Sequence, residues 1–237
     1  MATTTRKNQK SLTATEKQDF VEAVQDLIDE GFYGDLVAIH GDMSHDMHSM
    51  DDTGQQRFLP WHRAFLVQLE KKLQEKKPGL GVPYWDWQHD RSVPKWIRGF
   101  QPTVSMPDGT LVAVTRYSKH GHFSLPLSNL VESLFNIPEY TPFTATLEQY
   151  HNNVHMFAGG IHGGEVGTMG DISISPADPL FWLHHSNIDR LWARWQTSHA
   201  DAPDLTGAHR VLDPWTINVD QAKQISSIPD HPYQYQA

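Results

Sequence analysis

Histidines on apolar helix faces are the feature that most limits how this chain can fold. The 237 residues include 15 His and no Cys. Histidine is the commonest metal ligand in proteins, and a buried imidazole without a partner costs free energy. A chain that points several His side chains into its core must therefore supply each one with a hydrogen-bond acceptor, a charge or a metal ion.

The strongest local pattern places two histidines four residues apart on a predicted helix. Apolar spacing predicts a helix over Ala145–Phe157, and His151 and His155 lie on one face of it. Glu148 falls on the same face, three residues before His151. The zinc-protease version of this motif needs Glu directly after the first His, where this chain has Asn152. The pair therefore indicates a metal site but disfavours a zinc protease.

A second pair, His184-His185, lies near the start of another predicted helix, Leu180 to about Thr197, which Asp178-Pro179 introduces. Adjacent residues on a helix diverge by about 100°, so both imidazoles cannot point at one metal. We interpret one of them as a ligand and the other as structural. Spacing alone does not choose between them.

Further histidines lie on or between two earlier helices. His62 shares an apolar stripe with three leucines of a long predicted helix, and His40 faces inward from the preceding helix. His45 and His48 lie in the loop between these helices. An all-imidazole site suits Zn, Cu, Fe or Ni, and the spacing does not separate zinc from copper.

Composition excludes several other classes of protein. Lys and Arg total 19 against 28 Asp and Glu, a net charge of −9, which argues against a nucleic-acid partner. No apolar run approaches the ~20 residues that span a bilayer, so we expect no membrane partner. The polar N-terminus predicts no secretory signal and a cytoplasmic protein, although export with a partner stays open. Without Cys, disulfides and thiolate ligands are excluded.

Helix signals dominate the chain and strand signals are scarce. Thr13 and Glu16 form a predicted capping box for a first helix that ends at Gly31. Residues 41–57 read as a loop, and Pro60 suits the first turn of the long helix that carries His62. Residues 78–140 read as long loops over the core, with one short strand near 110–115. We predict one α-rich domain over residues 1–237, with about the first ten residues frayed.

Four motifs, in this order along the chain, resemble those of the tyrosinases. This type-3 dicopper family also includes catechol oxidases and the oxygen-carrying haemocyanins. The motifs are Phe58-Leu59-Pro60-Trp61-His62-Arg63, Pro83-Tyr84-Trp85-Asp86-Trp87, His151-Asn152-Asn153-Val154-His155, and Ser175-Pro176-Ala177-Asp178-Pro179-Leu180-Phe181-Trp182-Leu183-His184-His185. The short chain is similar to the compact prokaryotic members, and Tyr233-Gln234-Tyr235 resembles the tyrosine motif that closes the family's catalytic core.

The resemblance implies a four-helix bundle that holds two copper ions, each by three histidines. It assigns copper A to His40, His62 and a loop histidine, for which His48 is favoured and His45 is the alternative. It assigns copper B to His151, His155 and the second histidine of the pair, His185.

The resemblance also implies a reaction with dioxygen as co-substrate. Family members oxidise o-diphenols to o-quinones, and true tyrosinases first hydroxylate monophenols; melanin-type pigment is the commonest outcome. Glu148 and Asn152 resemble the pair that holds a water as base for the monophenol step. The alternatives are a catechol oxidase acting on diphenols only and a haemocyanin-like carrier, which the absence of an obvious blocking domain disfavours. The expected partners are small phenols and a copper-delivery or chaperone protein, and the sequence leaves the oligomeric state open.

Overall fold

The computed structural model describes residues 3–48, 51–118 and 123–236, and helices dominate them. The α-helices within these ranges are α1 (Ala14–Asp29), α2 (Phe32–Gly41), α3 (Asp52–Lys76), α4 (Lys95–Arg98), α5 (Ser128–Ser133), α6 (Tyr140–Gly159), α7 (Leu180–Trp195) and α8 (Val219–Ala222). Short 3₁₀ turns occur at Met43–His45, Leu134–Asn136, Thr168–Gly170, Ser175–Ala177 and Gly207–Arg210. None of the helices in these ranges combines the length and apolar character needed to cross a bilayer.

The start of α1 is the capping box that the sequence predicts. The Thr13 hydroxyl accepts from the Glu16 backbone N–H, and the Glu16 carboxylate accepts from the Thr13 backbone N–H. Gly31 then adopts a positive φ of 83° between α1 and α2. This left-handed conformation is accessible to glycine without steric cost, so the chain reverses there and starts a new helix.

Helix α3 begins earlier than the sequence predicts, so placing Pro60 in a first turn was wrong. The helix starts at Asp52, where the Asp51 side chain accepts from the Gly54 N–H. Pro60 therefore lies in the interior of the helix and has no N–H to donate to the carbonyl of Gln56. The Tyr140 hydroxyl of α6 donates to that carbonyl at 3.3 Å. A contact from a neighbouring helix thus replaces the hydrogen bond that proline removes.

Helix α6 ends where the sequence predicts, and helix α7 begins where the sequence predicts. Helix α6 ends at Gly159, and Gly160 follows with a φ of 68°, where a side chain would collide with the carbonyl of Tyr117. Helix α6 begins at Tyr140, five residues before the start that apolar spacing predicts. Helix α7 begins at Leu180, whose N–H donates to the Asp178 carboxylate at 2.8 Å.

The bundle forms around α3, and this confirms the predicted fold class. Helix α3 packs against α1, α6 and α7, while α2 packs against α1 and the turn that precedes α7. The His62 side chain and the leucine stripe of α3 are buried, as predicted. The four helices that carry the candidate ligands, α2, α3, α6 and α7, therefore meet at one centre.

Strands form three two-stranded pairs within the described ranges. The antiparallel pairs are β2–β3 (Thr103–Ser105 and Leu111–Ala113) and β4–β5 (Ile161–His162 and Glu165–Val166), and the parallel pair is β1–β6 (Thr4–Arg6 and Tyr233–Tyr235). The β1–β6 pair shows that the prediction of a frayed N-terminus was wrong over the described residues 3–10. Residues Thr4–Arg6 are tied to the C-terminal segment, and the Arg6 side chain is fully buried. Sequence spacing within the first ten residues could not reveal a partner more than 200 positions away.

A buried ion network holds both ends of the chain to the bundle. Asp189 of α7 accepts from Arg63 of α3 at 2.5 Å, from Arg6 of β1 at 3.1 Å, and from the hydroxyls of Tyr233 and Tyr235 at 2.5 Å each. Burial alone would raise the pKa of Asp189, but the two guanidinium groups outweigh it and hold that pKa below its usual value. The carboxylate is therefore ionised and fully hydrogen-bonded.

We expect Asp189→Ala to destabilise the metal-free protein by about 3–5 kcal/mol, because two buried guanidinium groups lose their shared counter-ion. Urea unfolding followed by circular dichroism measures this loss. The control is Glu75→Gln, which breaks the exposed Lys72–Glu75 pair and should leave stability nearly unchanged. Equal effects of the two substitutions would contradict the assigned role of the network.

Candidate metal centre

Three histidines from α2, the following loop and α3 form one cluster, here called cluster A. The Nε2 atom of His40 lies 3.1 Å from Nε2 of His48 and 3.5 Å from Nε2 of His62. One ligand nitrogen from each of the three residues lies within 4.8 Å of the others. His40 and His62 are buried, and His48 is largely buried.

Four histidines from α6 and α7 form a second cluster, here called cluster B. The Nε2 atom of His185 lies 3.1 Å from Nε2 of His151 and 3.2 Å from Nε2 of His155. His184 belongs to the same group, because one of its ring nitrogens lies within 4.8 Å of the ligand nitrogens of the other three. The structure thus brings together all six histidines that the resemblance assigns, and it adds a seventh.

Backbone carbonyls fix the orientation of three of these rings. The Nδ1–H groups of His40, His62 and His155 donate to the carbonyls of residues 172, 58 and 169, at 3.1, 2.7 and 2.6 Å. A carbonyl oxygen can only accept, so Nδ1 carries the proton and Nε2 of a neutral ring keeps its lone pair. Each of these rings therefore presents an unprotonated Nε2 to its cluster.

The donor set fits a metal cation. His40 and His62 point Nε2 lone pairs at each other across 3.5 Å, and neither nitrogen has a proton with which to form a hydrogen bond. A metal bound by imidazole at about 2.0–2.1 Å allows two ligand nitrogens to lie at most about 4.2 Å apart. The separations of 3.1–3.5 Å within the two clusters fall inside this limit.

Two phenylalanines pack between the clusters and limit the access of water. Phe58 contacts His62 and His151, each at a ring-centroid distance of 4.9 Å. Phe181 contacts His40 at 5.0 Å and stacks on His185 at 3.9 Å. The rings of His62 and His185 also stack directly, with centroids 4.5 Å apart. The two clusters are therefore adjacent halves of one dinuclear site.

Burial keeps the clustered imidazoles neutral. It lowers the pKa of six rings, and the neighbouring imidazoles lower it further. The six are His40, His62, His151, His155, His184 and His185. The pKa of His155 falls to about 4. Because a metal binds the neutral form of imidazole, these six rings need not lose a proton to bind one near neutral pH.

The loop between α2 and α3 places His48, and not His45, in cluster A. The His45 ring donates from Nδ1 to Asp213 at 2.5 Å and stacks on Trp61. Arg57 joins the same contact, because it donates to the His45 carbonyl at 3.0 Å and to the Asp213 carboxylate at 2.7 Å. His45 therefore anchors the loop that carries His48.

Glu148 and Asn152 occupy different positions beside the clusters. Asn152 is exposed, and its Oδ1 accepts from Nδ1 of His151 at 3.0 Å. The Glu148 side chain is buried, and its Oε1 lies 4.0 Å from Nδ1 of His48. That separation is too long for a direct hydrogen bond but is suited to a bridging water.

A cavity of about 170 Å³ opens onto both clusters. Histidines of clusters A and B line it together with Asn152, Met156 and the segment from Met169 to Ser175. Sequence patterns predicted neither this segment nor the three carbonyl acceptors, because backbone atoms carry no residue signature. They also left His184 outside the predicted site, although the adjacency of His184 to His185 was the available signal.

The fold and the site together define a helical-bundle protein with a dinuclear, histidine-rich metal centre. The family profile described as the common central domain of tyrosinase matches residues 30–125 and 111–198. The tyrosinase of Streptomyces antibioticus is 32% identical over 261 aligned positions, which cover 90% of this chain and 93% of that protein. The chain belongs to the tyrosinase family, whose members bind a dinuclear type-3 copper site, and it is a copper oxidoreductase.

Solved structures show the same fold. The tyrosinase from Burkholderia thailandensis superposes with a TM-score of 0.71 at 18% identity, covering 100% of this chain and 74% of that one. A functional unit of octopus haemocyanin also gives a TM-score of 0.71, at 20% identity, with 99% of this chain and 68% of that chain covered. A tyrosinase and a haemocyanin unit thus share this architecture.

We expect the metal-free protein to lose stability as the pH falls below about 6.5. The unfolded chain protonates its histidines near that pH, whereas the folded clusters hold lowered pKa values, about 4 for His155. The unfolded state then binds more protons, so acid favours unfolding by about 1.4 kcal/mol per pH unit for each such proton. Urea unfolding between pH 8 and pH 5 measures the slope.

His155→Gln should lower the number of protons taken up on unfolding by about one, and so reduce the dependence of the unfolding free energy on pH. His89→Gln should not, because the His89 side chain is 70% exposed. A free energy of unfolding that does not change between pH 7 and pH 5 would contradict the assignment of neutral buried rings.

Proposed function

We propose that the protein uses dioxygen to convert monophenols and o-diphenols to o-quinones. One phenol and one O₂ give one o-quinone and one water; two catechols and one O₂ give two o-quinones and two waters. The observation that carries the proposal is that one cavity among the described residues reaches both histidine clusters. A substrate ring in this cavity would contact both halves of the centre at once.

The proposed ligands are three histidines for each copper. His40, His48 and His62 would hold the first ion, and His151, His155 and His185 the second. Bound copper would supply the binding and reduction of dioxygen, for which a pair of ions provides two electrons. The chain's own part is to hold neutral Nε2 donors in place through the Nδ1–H bonds to carbonyls, an arrangement typical of metal-binding histidines.

The cavity suits a single aromatic ring. A buried cavity of roughly 150 Å³ in another protein accommodates benzene, and the volume here is about 170 Å³. Met156, Met169 and Ile172 supply apolar and polarisable contacts for a ring. Phe58 and Phe181 each contact histidines of both clusters, so a ring bound in the cavity would add to the apolar groups around the centre.

Hydroxylation of a monophenol needs a base. A free phenol has a pKa near ~10, so at neutral pH a positioned group must take its proton. We assign this role to a water held by Glu148 and Asn152, which lie four residues apart on α6. The exposed Asn152 amide lines the cavity, and the Glu148 carboxylate stands behind it beside His48. The carboxylate draws the proton away, and the amide orients the water.

One observation favours a second candidate, a catechol oxidase that acts on o-diphenols only. Glu148 is not among the described residues that line the cavity, and its Oε1 lies 4.0 Å from Nδ1 of the His48 ring. In that case the carboxylate would orient the His48 ring through a water instead of serving the substrate. The two roles predict different effects of removing the Glu148 charge. Loss of the base would slow mainly monophenol hydroxylation, whereas loss of His48 orientation would slow both reactions equally.

The product and the supply of copper are also part of the proposal. o-Quinones polymerise readily, and we expect melanin-type pigment as the end product. We also propose that a partner protein delivers copper, since the ligand nitrogens of both clusters are largely buried. Copper uptake by the purified metal-free chain, compared with and without a copper-loaded chaperone, tests this point.

We expect His155→Ala to reduce bound copper from two ions per chain to one and to abolish turnover. The substitution leaves His151 and one histidine of the adjacent pair His184-His185, since both members of that pair cannot point at one metal. Two imidazoles are too few to hold the ion. Metal analysis and oxygen uptake with a catechol measure the two effects. His89→Ala, in an exposed position, should change neither, and full turnover by His155→Ala would contradict the proposed ligand set.

We expect Glu148→Gln to slow monophenol hydroxylation by roughly 10²–10⁴-fold, the usual contribution of a general base. Oxidation of the matching diphenol should fall far less, because a catechol is more acidic and depends less on an added base. The rates are compared on tyramine and dopamine, with copper content measured in the same samples. Glu139→Gln, which removes an exposed charge at the start of α6, is the control. Equal losses on both substrates would assign Glu148 to the orientation of His48.

A further inference from the structure

We propose that His184 is an alternative ligand for the metal of cluster B, able to replace His185 beside His151 and His155. The inference rests on the proposed ligand set and extends it. The ion of cluster B would then be held by His151, His155 and a third imidazole. The adjacent residues His184 and His185 compete to supply that third imidazole.

The first observation is the position of the His184 ring. One of its nitrogens lies within 4.8 Å of the ligand nitrogens of His151, His155 and His185. The ring stacks on His151 with centroids 5.1 Å apart and an interplanar angle of 15°, and it meets His155 edge-on at 4.9 Å. The bound of 4.8 Å lies above the limit of about 4.2 Å for nitrogens that share one ion, so binding through His184 requires its ring to move closer to the other three.

The second observation is that the His184 ring is poorly hydrogen-bonded: the backbone of His151 lies near it but forms no hydrogen bond of normal geometry. The side chain is fully buried, and neither ring nitrogen forms a hydrogen bond of normal geometry with any described residue. Most other buried histidines of this chain have such a partner, as His62 has the Phe58 carbonyl and His231 the Glu70 carboxylate. An unsatisfied buried imidazole is costly, and a metal ion is the partner that the surrounding nitrogens would share.

Helix geometry makes the two rings alternatives to each other. Adjacent residues of α7 diverge by about 100°, so His184 and His185 approach the pair on α6 from different sides. His151 meets the His184 ring in parallel at 15° but the His185 ring at 74°. His151 and His155 would therefore stay bound while the third ligand changes.

Replacing His185 by His184 as the third ligand would change which ligand of cluster B contacts cluster A. His185 stacks on His62 of cluster A at 4.5 Å, whereas His184 has Trp87 as a neighbour at 6.4 Å. An ion bound through His184 leaves the His185 ring free beside cluster A. The identity of the third ligand therefore decides whether the ion of cluster B is bound by the ring that stacks on cluster A.

The test counts Cu(I) ions bound by the full chain in competition with the chelator bathocuproine disulfonate. We expect the wild-type chain and His184→Phe to bind two ions with similar affinity. His185→Ala should still bind two, the second about 10–100-fold more weakly, because His184 fills the vacated position. The double variant His184→Phe/His185→Ala should bind one. X-ray absorption at the copper edge should show the same number of nitrogen ligands in His185→Ala as in the wild type.

Loss of the second ion in His185→Ala, with one ion retained as in the double variant, would overturn the proposal. The ion in cluster A then shows that the variant is folded. If His185→Ala binds no copper at all, the test is repeated with His185→Leu, which retains apolar packing against Phe181. A wild-type chain that binds fewer than two ions would instead contradict the proposed function.

Discussion

The hydrogen bond from a histidine Nδ1–H to a backbone carbonyl is the interaction on which the site depends. It occurs at His40, His62 and His155, and in each case the acceptor is a fixed part of the main chain. This bond sets the tautomer, aims the Nε2 lone pair and satisfies the buried donor, so the imidazole can be neutral in a dry environment. Without it, the same rings would repel one another or turn towards other acceptors. The chemistry of the centre thus rests on the backbone path of α3 and of the segment from Thr168 to Ala177.

Two charge networks, one of them fully buried, keep that backbone path in place. Asp189 joins α7 to α3 through Arg63 and to both ends of the described chain through Arg6 and the tyrosines of β6. Arg57 joins the loop that bears His48 to the C-terminal segment near Asp213. Each network spans elements that are remote in sequence but carry or flank a ligand. Because breaking a buried ion pair is expensive, the Asp189 network resists small rearrangements that would separate the clusters. The Arg57 network holds its loop chiefly through the hydrogen bonds of a buried guanidinium group, since the Asp213 carboxylate is partly exposed.

Local patterns in the sequence predicted the five longest helices, although not where α3 and α6 begin, and they missed the short helices α4, α5 and α8. They also predicted most of the clustered histidines, because helical periodicity alone places His62, His151 and His155 on inward faces. The family resemblance was needed to favour His48 over His45, since both lie in a loop without periodicity. Features that depend on distant partners could not be predicted. The β1 strand needs its C-terminal partner, and Pro60 is accommodated inside α3 by a hydroxyl from α6. The role of His184 also depends on the exact positions of rings on two helices, which sequence spacing does not specify.

Anomalous diffraction at the copper edge from copper-loaded crystals tests the central claim most directly, because it locates each ion without reference to activity. The account predicts two peaks per chain, each about 2.0–2.1 Å from three Nε2 atoms. The first peak should lie among His40, His48 and His62, and the second among His151, His155 and His185 or its neighbour His184. A single peak, or a peak between His45 and Asp213 in place of cluster A, would contradict the account.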